Sequence, residues 1–276
     1  MAITASEVNK LRQETGAGMM DCKNALVESN GDFQKAIDIL RKKGQKIAAK
    51  RGDNEASEGV IFAQTTTTGD TGVLLALNCE TDFVAKNDKF RAFVQSLVDV
   101  ALNKLPETVD ELKSLPYDDT ISVGDKITEH VGVVGEKLDL SGYTKVNAPR
   151  VAAYNHPGNQ LATLVALSSA SDVAADAGVQ VAMQVAAMNP LALNKDGIDQ
   201  ETIDRELEIG KDLAIKEGKP EEMADKISMG RLNKFFKENT LLSQPFVRDN
   251  KLTVEQFLDN TEKGLSVTGF ERLALK

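Results

Sequence analysis

NCETDFVAK, residues 78–86, marks the point where a strand pattern gives way to a helix pattern. Before it, residues 72–77 form a continuous apolar run of buried-strand length, and after it apolar residues recur at helical spacing over residues 90–98. Phe83 therefore lies in a turn or in the first helical turn, next to the carboxylate of Asp82. We expect this ring to be exposed for contact with another molecule. The alternative is that it fills a gap in the core, as buried phenylalanines ordinarily do.

The chain contains a second version of this pattern. When the sequence is compared with itself at a shift of 90 positions, apolar and small residues align and Asp172 falls under Asp82. The order strand, strand, helix thus occurs twice, which indicates an internal duplication. In the second copy Val173 stands where the first has Phe83, whereas the carboxylate is kept as a helix-start residue.

Composition restricts the class of protein. Of the 276 residues, 41% are hydrophobic and 27% charged, as in ordinary globular chains, and the formal net charge is −9. This negative charge argues against nucleic acid or an anionic membrane as the main partner, so a protein partner is favoured. No apolar run approaches a membrane span and the first residues lack a signal-peptide pattern, so we expect a cytoplasmic location.

The sequence contains no recognised catalytic or metal-binding pattern. Cys22 and Cys79 are too far apart for a metal knuckle, and His130 and His156 lie in no nucleophile or metal motif. We therefore expect no cofactor, no bound metal and no enzyme that makes or breaks covalent bonds. The least favoured alternative is a covalent enzyme that uses Asp82 and His156, because no spacing in the sequence places them together.

Residues 1–52 are predicted to form a compact module of three helices. A capping box at residues 4–7 begins the first helix, and Gly16 ends it. The second helix begins with Met19 and Met20, which point about 100° apart on a helix and cannot share one narrow core stripe. At least one of them is expected to face a partner; the alternative is that both are half-buried in a small domain.

The rest of the chain is predicted to form two core subdomains, residues 53–140 and residues 141–276, each with an antiparallel sheet. A helical hairpin at residues 199–236 is inserted into the second, because a Gly stop and a Pro start separate two helical runs. Gly210 and Gly230 are expected to face each other across the hairpin. Such an arm usually contacts another chain, and the alternative is that it packs on its own domain.

Several segments together resemble the bacterial elongation factor Ts family, the nucleotide exchange factors of elongation factor Tu. The segments are residues 11–23, 78–85, 230–235, 244–247 and 267–270. The resemblance implies an α+β fold with a ubiquitin-associated-like helical N-domain and a core of two related α+β subdomains. It also implies that the helical hairpin is a dimerisation arm, which makes a homodimer or a heterotetramer. One departure is Asn239, where family members carry Val.

The resemblance also implies roles for individual residues. The implied partner-binding residues are Arg12, Met19, Met20, Lys23, Thr81, Asp82, Phe83, Val84 and His156. The Asp-Phe pair is expected to insert beside the partner's magnesium site. The N-domain residues are expected to hold the partner's GTPase domain, and the histidine to contact another domain of the partner.

The implied function is binding of elongation factor Tu in its GDP form, disturbance of its magnesium and phosphate site, and exchange of GDP for GTP. In this role Asp82 and Phe83 form a wedge, with no covalent chemistry. The alternative, from another class, is an adaptor that binds a protein through the helical N-domain and has no exchange activity.

Overall fold

The computed structural model describes residues 3–275. Met1, Ala2 and Lys276 lie outside the described residues, and the expectation about the first residues of the chain rests in part on Met1 and Ala2. The expected α+β class is confirmed, because helices are combined with antiparallel sheets along the chain. Within residues 3–275, none of the helices is long and apolar enough to cross a bilayer.

The first three helices form a module with its own small core. The predicted capping box is present, because the Thr4 hydroxyl accepts from the Glu7 amide and the Glu7 carboxylate accepts from the Thr4 amide. Gly16 ends the first helix with a φ of 71°, a left-handed conformation that glycine adopts without strain. The third helix continues without a break through residues 41–50, a segment rich in Lys and Arg. The helices are α1 (Ala5–Thr15), α2 (Met19–Glu28) and α3 (Phe33–Lys50).

Three antiparallel strands and four helices form the first half of the core. The strands, in their spatial order, are β1 (Glu58–Thr65), β2 (Thr71–Cys79) and β3 (Leu138–Asn147). The helices are α4 (Asp82–Ala85), α5 (Asp88–Lys104), α6 (Val109–Ser114) and α7 (Val123–Val134). Leu75 and Leu77 of the central strand pack among the helices, whereas Leu74 and Ala76 pack against the second sheet. Because both faces of this strand are buried, its sequence is a continuous apolar run and does not alternate between apolar and polar residues.

The pairing of strand β3 bears on where the two halves of the core divide. The predicted boundary at residue 140 falls inside this strand, whose pairing with β2 continues to Asn147. The pairing joins segments that are far apart in the chain, so the local sequence does not signal which sheet the strand joins. We therefore propose that the halves divide between Asn147 and Arg150, where the next strand begins.

The second half of the core repeats this arrangement and carries the helical hairpin. The strands are β4 (Arg150–Asn155), β5 (Leu161–Leu167), β6 (Pro245–Phe246), β7 (Asp249–Thr253) and β8 (Val267–Ala274). The helices are α8 (Asp172–Met188), α9 (Gln200–Lys216), α10 (Glu221–Asn239) and α11 (Val254–Thr261), with short 3-10 turns at Lys195–Gly197 and Leu241–Ser243. The main sheet has the order β4-β5-β8, and β6 pairs with β7 separately.

The register of the strands confirms the duplication expected from the sequence. Both central strands carry a bulge at the equivalent place, between Ala76 and Leu77 in β2 and between Ala166 and Leu167 in β5. A bulge is a specific irregularity in which strand pairing shifts by a residue. The bulge recurs at positions that the shift of 90 aligns, so the central strands of the two halves have the same pairing irregularity.

The two halves also exchange a symmetric pair of hydrogen bonds. The Ile61 amide donates to the Asn159 carbonyl, and the Val151 amide donates to the Gly69 carbonyl, each over 2.7 Å. The shift of 90 positions relates the two donors to each other and the two acceptors to each other. The contact between the halves is therefore approximately two-fold, like the isologous interface of a dimer.

The hairpin helices α9 and α10 pack chiefly on each other. Gly210 permits their close approach, since a Cβ added there would lie 2.9 Å from the Ser228 hydroxyl oxygen. The Ser228 hydroxyl donates to the Leu207 carbonyl over 2.5 Å, which fixes the contact. The expectation that Gly210 faces Gly230 is wrong, because a Cβ added to Gly230 would meet only open space.

His130 on α7 provides a test of the first core half that depends on pH. Its ring stacks on Phe93 with the centroids 3.9 Å apart, and burial lowers its pKa from 6.5 to about 4. The unfolded chain takes up a proton near the higher pKa and the folded chain does not. Stability is therefore full above that pH and falls as the pH decreases toward the lower value.

We expect a change from pH 7 to pH 5 to lower the urea-derived free energy of unfolding by about 2 kcal/mol through this group. A His130→Phe variant keeps an aromatic ring against Phe93 and has no proton to bind. Its stability should therefore fall less over the same pH interval than that of the wild type. An equal fall in the two proteins would show that His130 does not contribute.

Candidate functional site

Phe83, in the first turn of α4, is 83% exposed, more than any other large apolar side chain in residues 3–275. The predicted change from strand to helix is present, because β2 ends at Cys79 and α4 begins at Asp82. The alternative that the ring fills a gap in the core is therefore wrong. A large exposed ring on an ordered turn is suited to contact with another macromolecule.

The neighbours of Phe83 fix the turn to the protein. Ala85 is buried, and Val84 packs against the core of the first half. Thr81, just before α4, donates its hydroxyl to Glu136 Oε1 over 2.6 Å and its amide to Glu136 Oε2 over 3.0 Å. The turn is thus held to the segment that leads into β3, while the aromatic ring remains in solvent.

Glu80 connects the same turn to the end of the helical module. Its carboxylate accepts two hydrogen bonds from Arg51 Nη1, over 2.7 and 2.9 Å, and one from the Lys137 amide over 2.5 Å. The hydrogen bond from the Lys137 amide, followed by those from Arg51, lowers the pKa of Glu80. The carboxylate is therefore charged at neutral pH, and its ion pair links the end of α3 to the start of α4.

Asp82 begins α4 and pairs with Lys86 one turn later. The Lys86 Nζ lies 2.7 Å from Asp82 Oδ2, and this hydrogen bond lowers the pKa of the Asp82 carboxyl. A carboxylate at a helix start is also favoured by the helix dipole. The turn therefore presents a negative charge beside an apolar ring, and the carboxylate serves as an acceptor rather than as a proton donor.

The second half of the core contains the same turn without the aromatic ring. Ser171 takes the place of Thr81 and donates its hydroxyl to Glu262, which lies in the segment before β8. Val173, the counterpart of Phe83, is also exposed, at 53%. Both halves therefore hold this turn through a glutamate, and only the first places a large ring on it.

Removing the glutamate should loosen the turn of α4. In Glu136→Ala the hydroxyl and the amide of Thr81 lose their acceptors, so we expect a loss of about 1 kcal/mol in the free energy of unfolding. Hydrogen exchange at the Thr81 amide should become faster. Glu262→Ala makes the same change in the second half and should leave that amide unchanged. Equal exchange at Thr81 in Glu136→Ala and wild type would contradict this role.

A second exposed surface lies on α2 of the helical module. Met19 is 53% and Met20 62% exposed, so neither belongs to the small core of the module. Lys23 is also exposed on α2, and Arg12 is exposed on α1. Val27, which is 56% exposed, extends the apolar surface and was not predicted. Its spacing of seven residues from Met20 places both on one helix face and could have identified it.

His156 lies at a groove of about 430 Å³ in the second half of the core. Its Nδ1 lies 3.0 Å from the Tyr154 hydroxyl, and the two rings meet edge to face. Met183, Val247 and Arg248 also line the groove, which combines an apolar floor with a cation. Of these residues, only His156 is implied by the family resemblance. Met183, Val247 and Arg248 lie in separate segments of the chain, which the fold brings together at the groove.

The predicted site residues fall on three surfaces: the α1–α2 surface, the turn of α4 and the groove. Residues 81–84 share the turn. Asp82 pairs with Lys86 and His156 with Tyr154, so the structure does not bring Asp82 and His156 together as a catalytic pair. Across residues 3–275, no three His, Cys, Asp or Glu side chains are grouped so as to hold a metal ion.

The fold and these surfaces define a class of protein: a modular α+β protein with a duplicated core, whose candidate site is a set of exposed surfaces suited to another macromolecule. Comparison with known proteins identifies the family. The sequence model of the family described as Elongation factor TS matches residues 80–276. The chain belongs to the elongation factor Ts family.

Individual relatives match over nearly their whole length. The chain is 52% identical over 273 residues to an elongation factor Ts of Christiangramia forsetii, covering 99% of this chain and 98% of the relative. It is 53% identical over 275 residues to one of Amoebophilus asiaticus, covering 99% of each chain. One from Porphyromonas gingivalis is 47% identical over 277 residues, covering 100% of this chain and 99% of the relative.

Proposed function

We propose that this chain is a nucleotide exchange factor for elongation factor Tu. It binds the GDP form, disturbs the magnesium and phosphate site, and promotes replacement of GDP by GTP. The observation that carries the proposal is the 83% exposure of Phe83 on a turn that Glu136 and the core hold in place. A ring held in this way enters a partner without first leaving its own core.

Phe83 acts as the wedge in this mechanism. A bound magnesium ion is often the largest local charge in a nucleotide site, so moving its ligands weakens the hold on the diphosphate. The ring displaces a partner element beside the ion, and the charged carboxylate of Asp82 holds the displaced arrangement. Neither residue transfers a proton or forms a covalent bond, and the chain needs no cofactor for this action.

Coupling between the two ligands of the partner is reciprocal. If this chain weakens nucleotide binding by a given factor, nucleotide weakens the binding of this chain by the same factor. Entry of a new nucleotide therefore promotes release of the exchange factor. The wedge must for this reason be combined with contacts that supply affinity without depending on the nucleotide.

The other two surfaces supply that affinity. We propose that Arg12, Met19, Met20 and Lys23 hold the GTPase domain of the partner, and that the groove at His156 contacts another of its domains. Exposed methionines adapt well to an apolar surface, which suits them to this task. These contacts are between proteins, and the proposed place of action is the cytoplasm, without nucleic acid or membrane.

The hairpin is proposed to join complexes into a homodimer or a heterotetramer. Because α9 and α10 pack chiefly on each other, their outer faces are open to a second chain. Several apolar side chains are exposed there. They are Ile209, Leu213, Ile215, Met223 and Met229. The mass of the complex in solution, measured by light scattering or sedimentation, tests this assembly.

Release of labelled GDP from purified elongation factor Tu tests the exchange proposal. The release rate is measured in magnesium buffer at increasing concentrations of this chain, and complex formation is measured in parallel. We expect the rate to rise to a plateau well above the spontaneous rate. A stable complex with an unchanged release rate would reject exchange and favour the adaptor.

A further inference from the structure

Helix α3 crosses α7 with their backbones in close contact at two glycines. A Cβ added to Gly132 would lie 2.9 Å from Gly44 Cα, and one added to Gly44 would lie 2.9 Å from the Thr128 carbonyl oxygen. Cβ atoms in proteins essentially never lie within 3.0 Å of a backbone atom on another helix, so a side chain at either position would force the two helices to move. The distance between these helices depends on the absence of both side chains. The position of the helical module on the core therefore depends on the two glycines.

Ion pairs beside the crossing fix its rotation. Glu129 of α7 accepts from Arg41 of α3 and from Lys126, whose Nζ lies 2.9 Å away. Arg41 also reaches the Thr120 hydroxyl over 3.4 Å. Its guanidinium therefore connects α3 to α7 and to the loop before α7, and it limits turning about the glycine contact.

Beside the crossing, the module and the first half of the core line a cavity of about 170 Å³. Ala17 and Leu40 line it from the module, and Gly132 and Val133 line it from α7. Side chains that line an open cavity pack less closely than those of a core, so they fix the angle of the module only weakly. The crossing and its ion pairs, together with Ile47 and Ala48 of α3, which pack against the core of the first half, therefore set the angle of the module.

The module has its own buried cluster, which includes Leu11 and Leu26 and is distinct from the clusters of the core. A shift at the crossing would therefore move α1 and α2 as one body. The turn of α4 would move much less, because Val84 and Glu136 hold it to the core and the Lys137 amide holds Glu80, which also pairs with Arg51 at the end of α3.

We propose that Gly44 and Gly132 are positioning residues that set the distance between the α1–α2 surface and Phe83, so that both reach one partner molecule at the same time. This inference rests on the proposed function. Two surfaces on one rigid body bind cooperatively, because the first contact raises the effective concentration of the second. A tilted module loses this advantage although each surface remains intact.

The test compares Gly132→Leu and Gly44→Leu with Ala49→Leu, which places the same leucine side chain on an exposed position of α3. We expect the concentration for half-maximal GDP release to rise about tenfold or more in the two glycine variants, in keeping with the loss of an intramolecular second contact. The plateau rate should change less than about twofold, because the wedge is unaltered. The control should match the wild type. Gly132→Ala, a smaller change that favours helix formation, serves if a leucine variant does not fold.

Combination with Met20→Ala separates positioning from a general loss of stability. In the wild type this substitution should weaken binding, and in Gly132→Leu it should add little, because the tilted module no longer contacts the partner well. Binding is measured directly, without reference to exchange, so a failure of the exchange proposal does not affect this comparison. An equal effect of Met20→Ala in both backgrounds, or a lower plateau rate at unchanged half-saturation, would overturn the inference.

Discussion

Replacing Phe83 with alanine is expected to lower the plateau rate of GDP release roughly 10- to 100-fold, because burial of a Phe side chain contributes about 1.5–3 kcal/mol. If the ring is buried mainly in the displaced arrangement of the partner, its loss lowers the rate at saturation more than the affinity. The ring is 83% exposed, so its removal leaves no cavity and the fold should be unaffected. Stopped-flow release of labelled GDP at saturating concentrations measures the effect.

The duplicated fold supplies the control for this variant. Val173→Ala shortens the equivalent exposed side chain on the equivalent turn, and it should leave both the plateau rate and the half-saturating concentration unchanged. Loss of folding in Phe83→Ala would identify the ring as a structural residue. A normal plateau with a raised half-saturating concentration would make it an ordinary contact, and the wedge mechanism would then be wrong.

Local signals in the sequence were sufficient to predict the elements that position the site. The capping box at Thr4 and the stop at Gly16 each depend on residues within about one turn of that end of the helix. The sequence therefore shows both ends of α1 directly. The change from β2 to α4 is visible in the same way, because a buried strand and an amphipathic helix have different periods. The repeat predicted the duplicated core, since apolar and small residues of the two copies align at a shift of 90 positions.

The parts that could not be predicted depend on contacts between distant segments. Nothing near Thr81 in the sequence indicates that Glu136 holds it, and nothing near residue 140 indicates that β3 pairs with β2. The two-glycine contact of α3 and α7 is hidden for the same reason, because Gly44 and Gly132 become neighbours only in the fold. The sequence also leaves two interpretations of Phe83 open, because its exposure depends on the fold, which packs Val84 and Ala85 against the core and leaves the ring outside.

Met20→Ala should weaken complex formation roughly 10- to 100-fold while the plateau rate of GDP release stays near that of the wild type, because fully burying a Met side chain contributes about 1.5–3 kcal/mol. Met20 is 62% exposed in the free chain, so most of its apolar area is available to a partner and little stability is lost on truncation. Titration of binding and of release on the same samples separates the two effects. Met188→Ala truncates a methionine that is 44% exposed at the end of α8 and should leave both unchanged. A lower plateau rate with unaltered binding in Met20→Ala would reverse the roles assigned to the α1–α2 surface and the turn, since affinity would then come from the wedge itself.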